Sequence, residues 1–150
     1  MALSKHALIS TLADQLREKL ITCESAIAST RAAFASDTKS SAGDKHEVGR
    51  AMVQQELDKL EEQRAKLIVL QQELARVPLA RVYEQVGFGS LVITDQGGYF
   101  IAIGLGAVEV EGEPYYAISL ASPIGQALKG KRVGDAIDFN GTRITVQAIR

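Results

Sequence analysis

Apolar and small residues recur at Leu12, Leu16, Leu20, Cys23, Ile27 and Phe34, in steps of 4, 4, 3, 4 and 7. That spacing lays a single stripe along a helix. A second stripe runs through Val53, Leu57, Leu60, Leu67, Leu70 and Leu74 in steps of 4, 3, 7, 3 and 4, and only Arg64 interrupts it. This is heptad spacing. The stretch between the stripes, "ASDTKSSAGD" (Ala35 to Asp44), has no period and is rich in Ser, Asp and Gly, which predicts a turn. Neither narrow stripe is satisfied alone, so two of similar length joined by a turn bury their seams on each other. The pattern predicts an antiparallel coiled-coil hairpin over residues 4–77, with residues 1–77 as a first domain and a tip around 40–48. From Asp44 to Val77 is 33 residues, or about 50 Å at 1.5 Å per residue.

Pro78 ends the second helix, because the residue before a proline is pushed out of the helical region. Beyond it the period changes to two. "SLVIT", "GYFIAIG", "AVEVEG", "YYAISL", "DAIDF" and "TRITVQAI" are short runs of β-branched and aromatic residues, and Asn140-Gly141 between the last two is a strong hairpin signal. "SPIGQALKG" places Pro123 where a helix starts and Gly130 where one stops, predicting one short helix. Residues 78–150 therefore form a second domain of α+β class, a curled antiparallel sheet with one helix.

Composition narrows the function classes. With 46% apolar residues, 23% charged residues and a net charge of −1, the chain reads as a folded protein without the polybasic character of a general nucleic-acid or membrane-surface binder. The single cysteine, Cys23, excludes an internal disulfide and a cysteine-based zinc site and fits a reducing compartment. No window has the roughly 18 apolar residues of a membrane helix, and the N-terminus lacks a secretory signal pattern. The expected location is the cytoplasm. Charge is uneven in the second domain: Val82 to Leu128 carries five acids and no Lys or Arg, whereas Lys129 to Arg150 carries five bases against Asp135 and Asp138. The basic end is an ordinary solvated surface or a contact for a negatively charged partner.

Asp44 and Glu47 are the residues with most chemical content. As N-cap and N3 they make a capping-box variant, with Asp in place of Ser or Thr. Three apart on one helix face, they can also converge on a hard cation such as Mg2+, although two carboxylates need further ligands from elsewhere. His6 and His46 lack partners at ligand spacing, and a solvated tip histidine is the default for His46. "GFGS" at 87–90 reads as a β-turn, and no phosphate loop, nucleophile elbow or serine triad is present.

Three stretches resemble the Gre family of bacterial transcript cleavage factors. "GDKHE" (43–47) is similar to the family's Gly-Asp-x-x-Glu hairpin tip, "SLASPIGQALKGKRVGDAIDF" (119–139) to its Ser-Pro segment and following acidic strand, and "TRITVQAI" to its terminal strand. Order, lengths and domain division agree over nearly the whole chain. The resemblance implies an FKBP-like second domain, without isomerase activity, that docks at the rim of the RNA polymerase secondary channel. Ser122, Pro123, Ile124, Lys129, Lys131 and Arg132 become the expected partner-binding residues. The hairpin would enter the channel and bring Asp44 and Glu47 to a Mg2+ ion shared with the polymerase, which cuts the 3′ end of backtracked nascent RNA. On this reading the protein is a monomeric accessory factor and not itself an enzyme. The sequence departs from the family after the acidic pair, where "VGRAM" follows: Gly49 loosens the first part of the helix, and Arg50 and Lys45 add positive charge beside the carboxylates. A channel-occupying regulator without cleavage stimulation is the alternative, and a coiled-coil adaptor or chaperone is the alternative of another class.

Overall fold

The computed structural model describes residues 5–37 and 44–150, with side chains over 5–35 and 49–150. Helix α1 spans Lys5–Asp37 and helix α2 spans Asp44–Ala75. These are the two helices that the stripes predict; residues 38–43 of the expected turn lie outside the described residues. Both helices are free of proline and rich in Ala, Leu, Glu, Gln and Lys, all good helix formers. The chain forms two compact units, one from Asp14–Gln71 and one that combines Met1–Ala13 with Gln72–Arg150.

Within the Asp14–Gln71 unit the seam follows the stripes. Cys23, Ile27 and Leu57 are buried together, with Val53, Leu60 and Leu67 packed against them. The Cys23 thiol donates to the Leu60 carbonyl at 3.2 Å, so this cysteine behaves as a small core residue with a satisfied S–H. Arg64, the interruption in the heptads, stays exposed with Nε 4.0 Å from Glu24 Oε1, and Arg31 pairs with Glu61. Ascending α1 from Glu24 to Arg31 therefore descends α2 from Arg64 to Glu61, which is the antiparallel register. Such exposed pairs contribute about 0.2–1 kcal/mol each.

The second unit carries six strands: β1 (Leu91–Thr94), β2 (Gly97–Ile101), β3 (Gly106–Val110), β4 (Glu113–Ile118), β5 (Ala136–Phe139) and β6 (Thr142–Ile149). Their order in the sheet is β3-β4-β2-β1-β6-β5. Every pairing is antiparallel except β2 with β4, which run parallel. This is the one departure from the antiparallel expectation. The chain leaves β2, forms β3 at the edge, and turns back so that β4 fills the space between; β3 itself is the crossover that a parallel pair requires. The β5–β6 turn is Asn140-Gly141 with φ of 50° and 79°, as its sequence predicts.

Helix α3 (Pro123–Leu128) covers one face of the sheet. Leu128 is buried with Val86, Val92, Ile101, Ile137, Ile144 and Val146, and Ile124 and Ala127 pack against that cluster. The alternation of β6 explains its share: Ile144 and Val146 point inward while Arg143 and Gln147 are exposed. Leu8, Leu12 and Leu74, from the helix ends that belong to this unit, are also buried, as is Val77 just past α2.

Candidate functional site

The acidic pair falls in the first turn of α2, which begins at Asp44. Negative residues there complement the partial positive charge of the helix N-terminus. The side chains of Asp44, Lys45, His46 and Glu47 lie outside the described residues, and with them the capping and metal-ligand expectations. The side-chain description resumes at Gly49, where an added Cβ would meet nothing within 4 Å. Arg50, expected from sequence to add charge beside the carboxylates, sets its guanidinium over the Phe34 ring at 5.3 Å from the centroid. This cation–π contact ties the start of α2 to the end of α1. Arg50 continues the α2 seam one step of three before Val53, but its charge hides it from an apolar stripe.

The second cluster of expected site residues gathers around α3, where most of the Ser-Pro motif has a structural explanation. Ser122 is the N-cap: its Oγ accepts the Gly125 N–H at 3.1 Å and donates to the Ser119 carbonyl at 2.7 Å. Pro123 occupies the first turn, where a missing N–H costs nothing. Gly125 is required by close approach, since a Cβ would stand 2.2 Å from the Ser119 carbonyl oxygen and 2.8 Å from that of Leu120. Gln126 Nε2 donates to the Leu120 carbonyl at 2.8 Å, closing the same corner. What remains free for a partner is the exposed ring of Pro123, the outer part of half-buried Ile124, and the exposed side chain of Lys129.

Past α3, Gly130 takes φ 78° and donates its N–H to the Val86 carbonyl at 2.9 Å, while Val86 donates to the Lys131 carbonyl at 2.8 Å. Lys131 is half-buried and Arg132 exposed, the latter with its backbone N–H bonded to Asp135 Oδ2 at 2.8 Å. Lys129, Lys131 and Arg132 thus precede the edge strand β5, whereas Glu109, Glu111 and Glu113 lie on or between β3 and β4 at the opposite edge. The uneven charge of the sequence becomes a separation of charge across the sheet.

Tyr83 carries no signal in the sequence that would single it out. It is buried, donates its hydroxyl to the Phe88 carbonyl at 2.8 Å, and carries cations against its ring, Lys5 at 4.6 Å and Arg81 at 5.0 Å from the centroid. Burial pushes the Tyr83 phenol above its usual range, with Arg81 pulling the other way, and burial lowers the Lys5 ammonium. Lys5 Nζ also donates to the Arg150 carbonyl at 3.3 Å. Tyr99 and Tyr116 stack with centroids 5.3 Å apart on β2 and β4.

Among the described residues there is no group of three or more His, Cys, Asp or Glu side chains placed to hold a metal ion, and no helix long and apolar enough to cross a membrane. No known protein family matches the chain, and no curated protein matches it. Among solved structures it is similar to one described as the transcription factor Gfh1, with 24% identity over 91% of this chain and 92% of that chain and a TM-score of 0.37.

Proposed function

We propose that this protein is a cytoplasmic factor of Gre type, which binds RNA polymerase and stimulates its cleavage of backtracked RNA. The observation that carries the reading is the place of the acidic pair. Asp44-x-x-Glu47 opens a 32-residue helix of an antiparallel hairpin, a rod of about 48 Å at 1.5 Å per residue. A capping box needs no such rod behind it. Two carboxylates at its turn end serve delivery into a deep site of another protein.

The pair supplies hard oxygen donors of the kind Mg2+ takes, and too few to hold the ion without ligands from the polymerase. Bound there, the metal would supply an activated water and neutralise charge on the phosphodiester. Asp44 and Glu47 orient that site; bond cleavage stays with the polymerase, so the chain itself is not an enzyme. The docking side of the reading rests on Pro123, Ile124 and the cations Lys129, Lys131 and Arg132, with Ser122 holding the loop in shape. The protein acts as a monomer and meets the RNA 3′ end only through the polymerase.

The test of docking is co-sedimentation of the full chain with purified polymerase, compared with a Pro123→Ala, Lys129→Ala variant. Weakened association of a variant that retains the wild-type circular dichroism spectrum supports the reading. Unchanged association removes the α3 end from the interface.

A further inference from the structure

The hydrogen bonds between Val86 and the Gly130–Lys131 segment draw two irregular stretches side by side, 79–86 and 130–133. Between them lies a cleft of about 330 Å³ lined by Arg81, Val82, Tyr83, Glu84, Gln85 and Arg132. Three features of the cleft point to a ligand. The two stretches expose apolar side chains where a solvated loop would be polar: Val82, in the lining, is 87% exposed, and Leu79 and Val133 are 62% and 60% exposed, three of the seven large hydrophobic side chains exposed among the described residues. Its charge is one-sided, with Arg81 and Arg132 in the lining and Lys131 next to Arg132 in sequence, against Glu84 in the lining and Asp135 three residues past Arg132. Asp135 is already engaged with the Arg132 backbone. Finally, the backbone N–H and C=O groups from Leu79 to Gln85 bond to nothing else among the described residues.

We infer that this cleft binds an acidic, aliphatic peptide segment of a protein partner, in extended conformation. Carboxylates at alternate positions would meet the Arg81 and Arg132 guanidinium groups, whose planar forks suit carboxylates. Aliphatic side chains between them would rest on Val82 and Val133, and peptide groups would pair with the free backbone beside Arg81 and Val82. Single-stranded nucleic acid fits less well, because the one aromatic ring in the cleft, Tyr83, is buried and held by Phe88, leaving no stacking platform. Arg132 also belongs to the docking side proposed above, and a peptide assay run without polymerase tests the cleft apart from that reading.

The experiment is fluorescence anisotropy of the full chain with a short labelled peptide alternating glutamate and valine. Controls are a lysine–valine peptide and an oligothymidine, and backbone amide shifts locate the contact. Saturable binding of the acidic peptide is expected, with amide shifts confined to 79–86 and 130–133. Arg132→Ala and Val82→Asp should each weaken it about tenfold or more. Both positions are exposed, so these variants keep the fold, which circular dichroism checks. Absence of binding, equal binding of the lysine–valine peptide, tighter binding of the oligothymidine at the same amides, or indifference to both substitutions would each overturn the inference.

Discussion

Gly49 and Gly125 are both helical glycines, and the space around them separates their roles. Gly49 lies inside α2, and a Cβ added there would have nothing within 4 Å, so Gly49→Ala should stabilise the hairpin by about 0.5–1 kcal/mol through the conformational freedom it removes. A raised thermal midpoint checks this; a lowered one would mean that the helix start needs glycine. At Gly125 the same change forces a methyl group against two carbonyl oxygens. Gly125→Ala should destabilise by about 1–3 kcal/mol, read from urea unfolding. Tyr83, Tyr99 and Tyr115 are all raised above the usual phenol value of 10.0, chiefly by burial. A raised phenol keeps its proton longer in the folded state than in the unfolded chain, so stability is intact below pH 10 and falls as pH rises above it. Lys5, lowered by burial, works in the opposite direction, but only below its usual 10.5, so above that pH the phenols alone set the slope. Urea midpoints should fall as pH rises above 10.5; a midpoint that keeps rising there would contradict the burial of these rings.

At the scale of elements, the hairpin seam in the Asp14–Gln71 unit is thin, with Cys23, Ile27 and Leu57 forming its buried cluster. Leu57→Ala should therefore cost about 2–5 kcal/mol and melt helix signal before the sheet. Loss of helix and sheet in a single transition would show that the two units unfold together. The heptad steps of α2, the Asn140-Gly141 turn and the Ser122-Pro123 helix start were legible because each is written in a few neighbouring residues. The parallel β2–β4 pairing was not, since strand period says nothing about neighbour order. Nor were the Arg50–Phe34 contact, made by a charged side chain that an apolar stripe leaves out, and the Arg81–Arg132 cleft, which joins residues from distant parts of the chain. The candidate tip was legible as a motif only, and its side chains lie outside the described residues.

At the scale of the whole molecule, separate stretches take separate tasks. The hairpin carries two carboxylates, and the β unit offers exposed groups around α3 on a sheet whose charges are segregated between its edges. Replacing the acids with isosteres should then separate binding from activity. Asp44→Asn with Glu47→Gln should leave association with polymerase unchanged while removing the effect on RNA, because the amides keep the shape and lose the charge that a divalent ion requires. The direct measurement is shortening of 5′-labelled RNA in purified backtracked elongation complexes, with Mg2+, in the presence of the wild-type chain or this double variant. A delivered acidic pair predicts faster shortening with the wild-type chain and none above background with the variant. Equal stimulation by both, or slowed elongation without shortening by the wild-type chain, would contradict it.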